Sequence, residues 1–373
     1  MLKSPESRFN NIDALRLILA LLVLFSHSFP LGSGSEEFEP LIWLSGGQST
    51  LGGLSVAWFF VLSGYLISQS WERSSTVWSF LKKRVARIYP GFIVAAAVCI
   101  WVIVPMSSPE GSRAYSWRVL ADNIRPILLL KEFTNPDAFV NNPVPKVVNG
   151  SLWSISYEFK CYLGVVALGL TTLLRRRWLV LGLFLMALTL GFISGLSDLK
   201  PDWKFLKVAG NLPNFRSVTF YLAGVVAYLF REHLRADRRL AFLALLGLVV
   251  GAVTPLGFRI TLPTFGTYLL FYLAFTTDWK WHNAGKYGDF SYGIYLYAWP
   301  IQQFVMMKLG RTVNPLVLFG LAFIPTVLAG VLSWYLVERR FLRKAHQKSA
   351  APPVVESTKL SRSLQEPQPS SLG

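Results

Sequence analysis

The stretch from Asn10 to Pro30, NNIDALRLILALLVLFSHSFP, is apolar enough to cross a membrane, yet it carries Arg16 and His27. A charged or titrating side chain at membrane depth is costly, so each is a candidate for function. Their spacing is about three helical turns, which puts both on one helix face, roughly 16 Å apart along the axis. That is about half of a bilayer core. One face therefore carries a fixed positive charge toward one membrane surface and an imidazole toward the other. An imidazole takes a hydroxyl proton near neutral pH. The pair suits a reaction whose two reactants arrive from opposite sides. The plainer reading of His27 is an interfacial histidine bonded to a neighbour.

Glu158 lies in GSLWSISYEFKCYL, Gly150 to Leu163. A helix that starts near Ser151 from the outer side puts Glu158 about 10 Å down, in the same outer half as His27. A carboxylate facing an imidazole fixes its tautomer and stabilises its charged form, so a His27–Glu158 pair is expected. Lys160 is about 200° round the helix from Glu158 and is a poor partner for it. Arg16 cannot in practice lose its proton. Its structural partner would be Asp13, three residues back; its functional one would be an anionic or carbonyl group of a cytoplasmic ligand. Arg84 and Arg87, in KKRVARIYP, sit at the entry of a later span, where they serve either as membrane anchors or as phosphate ligands.

Two further stretches are polar for a bilayer. In WFFVLSGYLIS, Trp58 to Ser68, Gly64 permits close backbone approach and Ser63 can bond a neighbouring helix. In DFSYGIYLYAWPI, Asp289 to Ile301, Ser291, Tyr292, Tyr295 and Tyr297 either line a cavity or form an interfacial aromatic belt. Ser63, Tyr157 and backbone N–H groups are the candidates for stabilising an oxyanion.

The elements that must position these residues are membrane helices. Of 373 residues 53% are hydrophobic and only 15% charged, and apolar runs of about twenty residues recur from end to end, so the chain is a polytopic membrane protein rather than a soluble core. The expected fold is all-α, with about ten spans at 12–30, 51–70, 88–106, 152–174, 178–196, 214–230, 240–256, 262–278, 290–308 and 313–336. The net charge of +17 invites a nucleic-acid reading, but on these spans 22 of the 37 Lys and Arg fall on one side. That is the positive-inside signature; it places both termini in the cytoplasm and the basic face against anionic lipid, with no nucleic-acid partner. The first stretch reads as a retained span: no small-x-small cleavage site follows, and Asp13 lies in its entry.

Residues 71–87 read as an amphipathic surface helix. The long outer connection 107–150 includes a candidate short helix at 116–130 kinked at Pro126, and a long ordered loop of this kind often forms a substrate wall or lid. A second outer loop covers 197–213. Glu338-Arg339-Arg340 closes the last span as a salt-bridged terminus. The domain is expected to run over 1–345, and the tail, 346–373, is rich in Ser, Pro and Gln and is expected to be disordered. Cys99 and Cys161 lie in apolar runs without metal-type spacing, so they read as small buried hydrophobes, and no metal site is suggested.

Taken together the pieces resemble the membrane-bound acyltransferase-3 family. They are Asp13-x-x-Arg16 with His27; Phe59 to Tyr65, FFVLSGY; Arg84-x-x-Arg87-Ile88-Tyr89-Pro90; Ser151-Leu152-Trp153-Ser154 followed by Tyr157-Glu158 and Tyr162; Ser291 to Leu296, SYGIYL; and Glu338-Arg339. Each is weak alone, but six in order, over residues 8 to about 342, are specific. The resemblance implies transfer of an acyl group, usually acetyl, from cytoplasmic acyl-CoA to a sugar hydroxyl of an extracytoplasmic or lipid-linked glycan, in the inner membrane. The donor is a substrate; no permanently bound cofactor is implied. By the resemblance His27 is catalytic, with Glu158 and Arg16 also required. Arg16, Arg84 and Arg87 would hold the donor, and Asp13, Ser63, Tyr157, Ser291 and Tyr295 would contact substrate. Many relatives have His where this chain has Ala298, so a mechanism with two intramembrane histidines does not fit it. No outer hydrolase-like domain is fused, so transfer is direct or passes to a separate extracytoplasmic acceptor protein. A transporter or flippase, in which the buried Arg, His and Glu are ion sites, remains the alternative class.

Overall fold

A computed structural model of the chain describes residues 11–108, 124–199, 215–276, 281 and 284–347. Helices occupy every expected span: α1 (Ile12–Ser33), α2 (Leu51–Glu72), α3 (Val77–Val98, prolonged through a π turn at Cys99–Ile103 as far as Ser107), α4 (Trp153–Leu170), α5 (Arg177–Leu199), α6 (Phe215–Leu229) and α7 (Arg238–Val253). Then come α8 (Gly257–Thr261), a π turn (Leu262–Gly266) and α9 (Thr267–Phe275), which together fill the eighth expected span. The last are α10 (Ser291–Leu309), α11 (Pro315–Ser333), a π turn (Trp334–Glu338) and α12 (Arg339–Gln347). Among the described residues five helices are long and apolar enough to cross a membrane: Ile12–Ser33, Leu51–Glu72, Val77–Ser107, Arg177–Leu196 and Pro315–Ala345. The chain is thus a mostly helical membrane protein.

Helix ends follow from local chemistry. Thr50 and Thr76 cap α2 and α3 by accepting from the N–H groups of Gly53 and Ser79. Gly34 and Gly310, both left-handed, end α1 and α10. The centre of the bundle is the α2–α6 crossing. A Cβ on Gly64 would run into the carbonyl of Tyr221, and one on Gly224 into the carbonyl of Val61, so the two backbones touch. Tyr65, 1% exposed, fills the space beside this contact against Phe271, Phe275 and Tyr228.

Three features depart from the sequence reading. The amphipathic segment at 71–87 is not a separate surface helix but the first half of α3, which runs unbroken into the membrane span. A two-stranded antiparallel ribbon, β1 (Phe133–Thr134) and β2 (Val147–Asn149), is the one departure from all-α structure among the described residues. From this ribbon the outer segment 142–152 does not lie on the surface but descends along α10. Gln303 Nε2 donates to the carbonyls of Val144 (2.7 Å) and Val147 (2.9 Å), Trp299 Nε1 to Val147 (3.2 Å), Asn149 Nδ2 to Leu296 (2.9 Å), and the Tyr295 hydroxyl to Ser151 (2.7 Å). From Gln303 to Tyr295 is about 12 Å of helix. Non-helical backbone at this depth survives because protein donors satisfy its carbonyls. The start of α4 is consequently recessed. The tail 348–373, most of the expected helix at 116–130 and most of the outer loop at 197–213 lie outside the described residues; α12 runs two residues into the expected tail.

The touching backbones leave no room for a side chain. Gly64→Ala or Gly224→Ala is expected to cost at least about 3 kcal/mol, read as a lowered thermal midpoint by tryptophan fluorescence in detergent. An unchanged midpoint in both variants would refute the contact.

Candidate active site

A cavity of about 160 Å³ opens among α2, α3, α4, α10 and α12. Its floor is ionic. Asp289, just before α10, receives Arg16 of α1 (Nη1 to Oδ2, 2.6 Å) and Arg87 of α3 (Nη2 to Oδ2, 2.5 Å) on one carboxylate oxygen. The other oxygen accepts from the backbone N–H and hydroxyl of Ser291. Burial opposes ionisation of Asp289, but the charges of Arg16 and Arg87 and the Ser291 hydroxyl outweigh it and hold the carboxyl below its ordinary range. Arg87 also faces Glu338 (3.8 Å), which is 1% exposed and accepts from Ser333 (2.8 Å). Glu338 ends the π turn Trp334–Glu338, behind the lining residue Arg87.

Higher up, Glu158 Oε1 accepts from Ser63 of α2 (3.1 Å) and Tyr162 (2.5 Å). At the upper end, Ser154 and Tyr295 share a hydrogen bond of 2.7 Å beside Phe59 and Val56. Arg84 differs from the other two arginines. Its Nη2 reaches only the hydroxyl of Ser70 (3.3 Å), and its Nε is buried without a partner. Among the described residues no carboxylate pairs with it, so it is the cation left for a ligand, with Lys83 beside it in the lining.

Of the residues expected to act, the structure brings Arg16, Arg84, Arg87, Ser63, Glu158, Ser291 and Tyr295 to this one cavity. Asp13, Tyr157 and His27 do not line it. Asp13 is not the partner of Arg16, which reaches across to Asp289 instead; Asp13 packs beneath Gly285, where a Cβ would collide with its carboxylate. Tyr157 carries Lys160 over its ring (4.4 Å) and packs edge-on to Trp153. The Glu338 terminus pairs with α3 rather than within its own turn.

The expected His27–Glu158 hydrogen bond is not formed. His27 is half-buried, its Nδ1 has no partner, and its ring packs edge-on against Trp299 at 4.9 Å. Glu158 is one turn below Ser154, which meets Tyr295; Trp299 is one turn above Tyr295. The two residues are therefore about 12 Å apart in depth. The error came from starting α4 at the outer surface, whereas the descending segment sets it one to two turns lower. Ala298, where a second histidine would stand, is fully buried in an apolar cluster with Leu24 and Ala322, and Gln302 above it locks α10 to α1 through the carbonyl of Leu24 (2.9 Å) and the hydroxyl of Ser28 (2.7 Å).

Sequence reasoning gave no role to Asp289 or Lys83, named Tyr162 only within a family motif, and placed the ion pair of Glu338 within its own terminus. Asp289 carried a usable signal, since an acid at the mouth of an apolar span must find a cationic partner.

A cavity lined by three arginines and a hydrogen-bonded carboxylate, within a helical membrane bundle and with an imidazole about two turns higher, is a site fit for a charged substrate. Comparison with known proteins agrees. The acyltransferase domain of the acyltransferase-3 family matches residues 9–335, and the chain belongs to that family; it is an acyltransferase. It is 28% identical over 346 residues to an O-acetyl transferase of Shigella phage Sf6, covering 91% of this chain and 98% of that protein. Over 118 residues it is 30% identical to acyltransferase MdmB of Streptomyces mycarofaciens, 31% of this chain and 28% of that one. Over 96 residues it is 40% identical to nodulation protein 10 of Rhizobium leguminosarum bv. viciae, 24% and 23% of the two chains. No solved structure matches it.

Asp289→Asn would leave two guanidinium groups facing a neutral amide, at a cost of about 3 kcal/mol. Unfolding in detergent should show this, and adding Arg16→Gln should recover part of it, because Arg87 keeps Glu338. A double variant as unstable as the sum of the single ones would show that Asp289 does not couple the two.

Proposed function

We propose that this acyltransferase is an O-acetyltransferase: it moves acetyl from cytoplasmic acetyl-CoA to a hydroxyl of an extracytoplasmic or lipid-linked glycan. It would be a ten-span protein of the inner membrane, with both ends in the cytoplasm and the catalytic domain over 1–345. The observation that carries the reading is the cavity itself. It has a surplus of positive charge, with Arg16, Lys83, Arg84 and Arg87 against Glu158, and the rest of its lining, by Val56, Phe59, Ser154 and Tyr295, is partly apolar. That polarity matches a polyanionic carrier with a short acyl thioester at its tip. The resemblance to a phage O-acetyl transferase across nearly the whole of both chains supports the acetyl group.

In this reading Arg84 and Lys83 take donor phosphate. Arg16 and Arg87, already neutralised by Asp289, shape the floor and lend hydrogen bonds to the pantetheine arm. The acyl thioester reaches the upper end of the cavity, by Ser154 and Tyr295, one turn of α10 below Trp299 and His27. The acceptor hydroxyl comes from the outer side, against His27 and Trp299. Its oxygen attacks the carbonyl carbon, the carbon–sulfur bond breaks, and the hydroxyl proton passes through the imidazole to the departing thiolate. His27 does this without a carboxylate partner, so Glu158 acts on the donor side, as the acceptor of the Ser63 and Tyr162 hydroxyl protons.

Membranes holding the protein, given radiolabelled acetyl-CoA, should transfer label to glycan. His27→Ala should cut transfer by about 10²–10⁴-fold. Transfer that survives in His27→Ala would remove the imidazole from the chemistry, and no transfer by wild type to any glycan fraction would remove the acceptor class. Arg84→Gln should raise KM for acetyl-CoA about tenfold with kcat little changed, as expected for loss of one charged hydrogen bond made equally in ground and transition states. A loss confined to kcat would instead place Arg84 at the reacting atoms.

A further inference from the structure

A second cavity, of about 170 Å³, lies apart from the first, among α5, α6, α9 and the loop 230–237. Phe184, Ala223, Ala227, Pro263 and Phe271 give it an apolar lining. Two features are unlike an ordinary packing gap. Thr267 is 8% exposed, lines the cavity, and its hydroxyl is buried without a partner. A helical threonine ordinarily bonds a carbonyl one turn back, but here the π turn Leu262–Gly266 ends immediately before it. At the same end the lining includes Arg235, whose backbone carbonyl is held by the hydroxyl of Tyr268 (2.7 Å), the neighbour of Thr267. Arg235 belongs to a loop with Arg231, which faces Glu72 (3.7 Å), and Glu232; the loop leads into Arg238 and Arg239 at the start of α7, and its acid Asp237 is committed to capping α7 through the N–H groups of Arg239 (2.7 Å) and Leu240 (3.4 Å).

An apolar cavity, a buried hydroxyl without a partner and an arginine in the same lining match the acyl chain, ester and phosphate of a lipid. We infer that this cavity binds an anionic phospholipid: one acyl chain lies in the slot, an ester carbonyl accepts from Thr267, and the phosphate with its anionic headgroup meets Arg235 and its basic loop. The arrangement favours lipid over a soluble apolar ligand, because the slot is lined by membrane helices and the charge stands at its basic-face end. It is independent of the acyl-transfer chemistry.

The test uses the full-length protein purified in mild detergent, with phosphatidylglycerol or phosphatidylcholine of identical chains added and bound lipid counted by native mass spectrometry. Wild type should retain phosphatidylglycerol about fivefold more strongly than phosphatidylcholine, the effect of about one arginine near a phosphate surface. Arg235→Gln, a change on an exposed loop that leaves the bundle intact, should bring the two lipids level. Thr267→Val, nearly equal in volume, should weaken both alike, and Ala223→Phe, which fills the slot, should do so more strongly. Equal retention of the two lipids by wild type would overturn the proposal. So would a preference that persists in Arg235→Gln, or unchanged retention in both Thr267→Val and Ala223→Phe. If Ala223→Phe instead converts a dimer to a monomer with lipid binding intact, the slot belongs to a second copy of this chain and the lipid proposal fails.

Discussion

Three helices that are far apart in the chain meet at one carboxylate. Asp289 sits where α10 begins, Arg16 one turn into α1, and Arg87 midway along α3, and the two arginines line one cavity with the carboxylate behind them. Charges buried at this depth are tolerable only when paired. The pairing therefore fixes the register of α1, α3 and α10 against one another, and Glu338 adds the end of α11 to the same level. It also decides which charges a ligand meets. Arg16 and Arg87 are offset by Asp289 and Glu338, so the positive surplus is left to Arg84 and Lys83, faced by Glu158 alone. Arginines that read in sequence as donor ligands, Arg84 and Arg87 for phosphate and Arg16 for an anionic or carbonyl group, are in the fold two paired cations and one, Arg84, with no carboxylate partner among the described residues.

Above that floor the segment 142–152 governs depth. By hanging three of its carbonyls on donors from α10, and an α10 carbonyl on Asn149, it occupies the outer half of the bundle and pushes the start of α4 inward. Glu158 is thereby placed with Ser63 and Tyr162 in the cavity, while His27 stays with Trp299 about two turns higher. The separation of carboxylate and imidazole follows from where one loop goes.

This explains which parts were legible beforehand. Helical spans announce themselves by length and apolarity, and each helix falls where its apolar run lies. The lining residues Arg16, Arg84, Arg87, Ser63, Glu158, Ser291 and Tyr295 stood out because polar atoms in apolar runs are costly unless used. What failed was every statement that needed a depth or a partner. Asp13 was chosen for Arg16 because it is near in sequence, yet a guanidinium reaches Asp289 from the other end of the chain at less strain. His27 and Glu158 were matched by counting residues from assumed membrane surfaces, and periodicity carries no sign that a polar loop folds inward. The amphipathic pattern of 71–87 was read correctly as helical, but nothing in it says whether the helix stops at the interface or continues.

The backbone contact between Gly64 and Gly224 bears on how the cavity can move. Ser63, on one of its walls, adjoins a helix crossing with no side chain to compress, so that wall is stiff. The descending segment, tied at several heights, braces the top. Compliance is left to the opposite flank, where Lys83 and Leu342 contribute the lining from long, half-buried side chains on α3 and on the short terminal helix α12. In the proposed reading, entry of a bulky nucleotide carrier would be a matter of swinging a peripheral flap on the basic face, with the reacting end of the site kept as a rigid anvil.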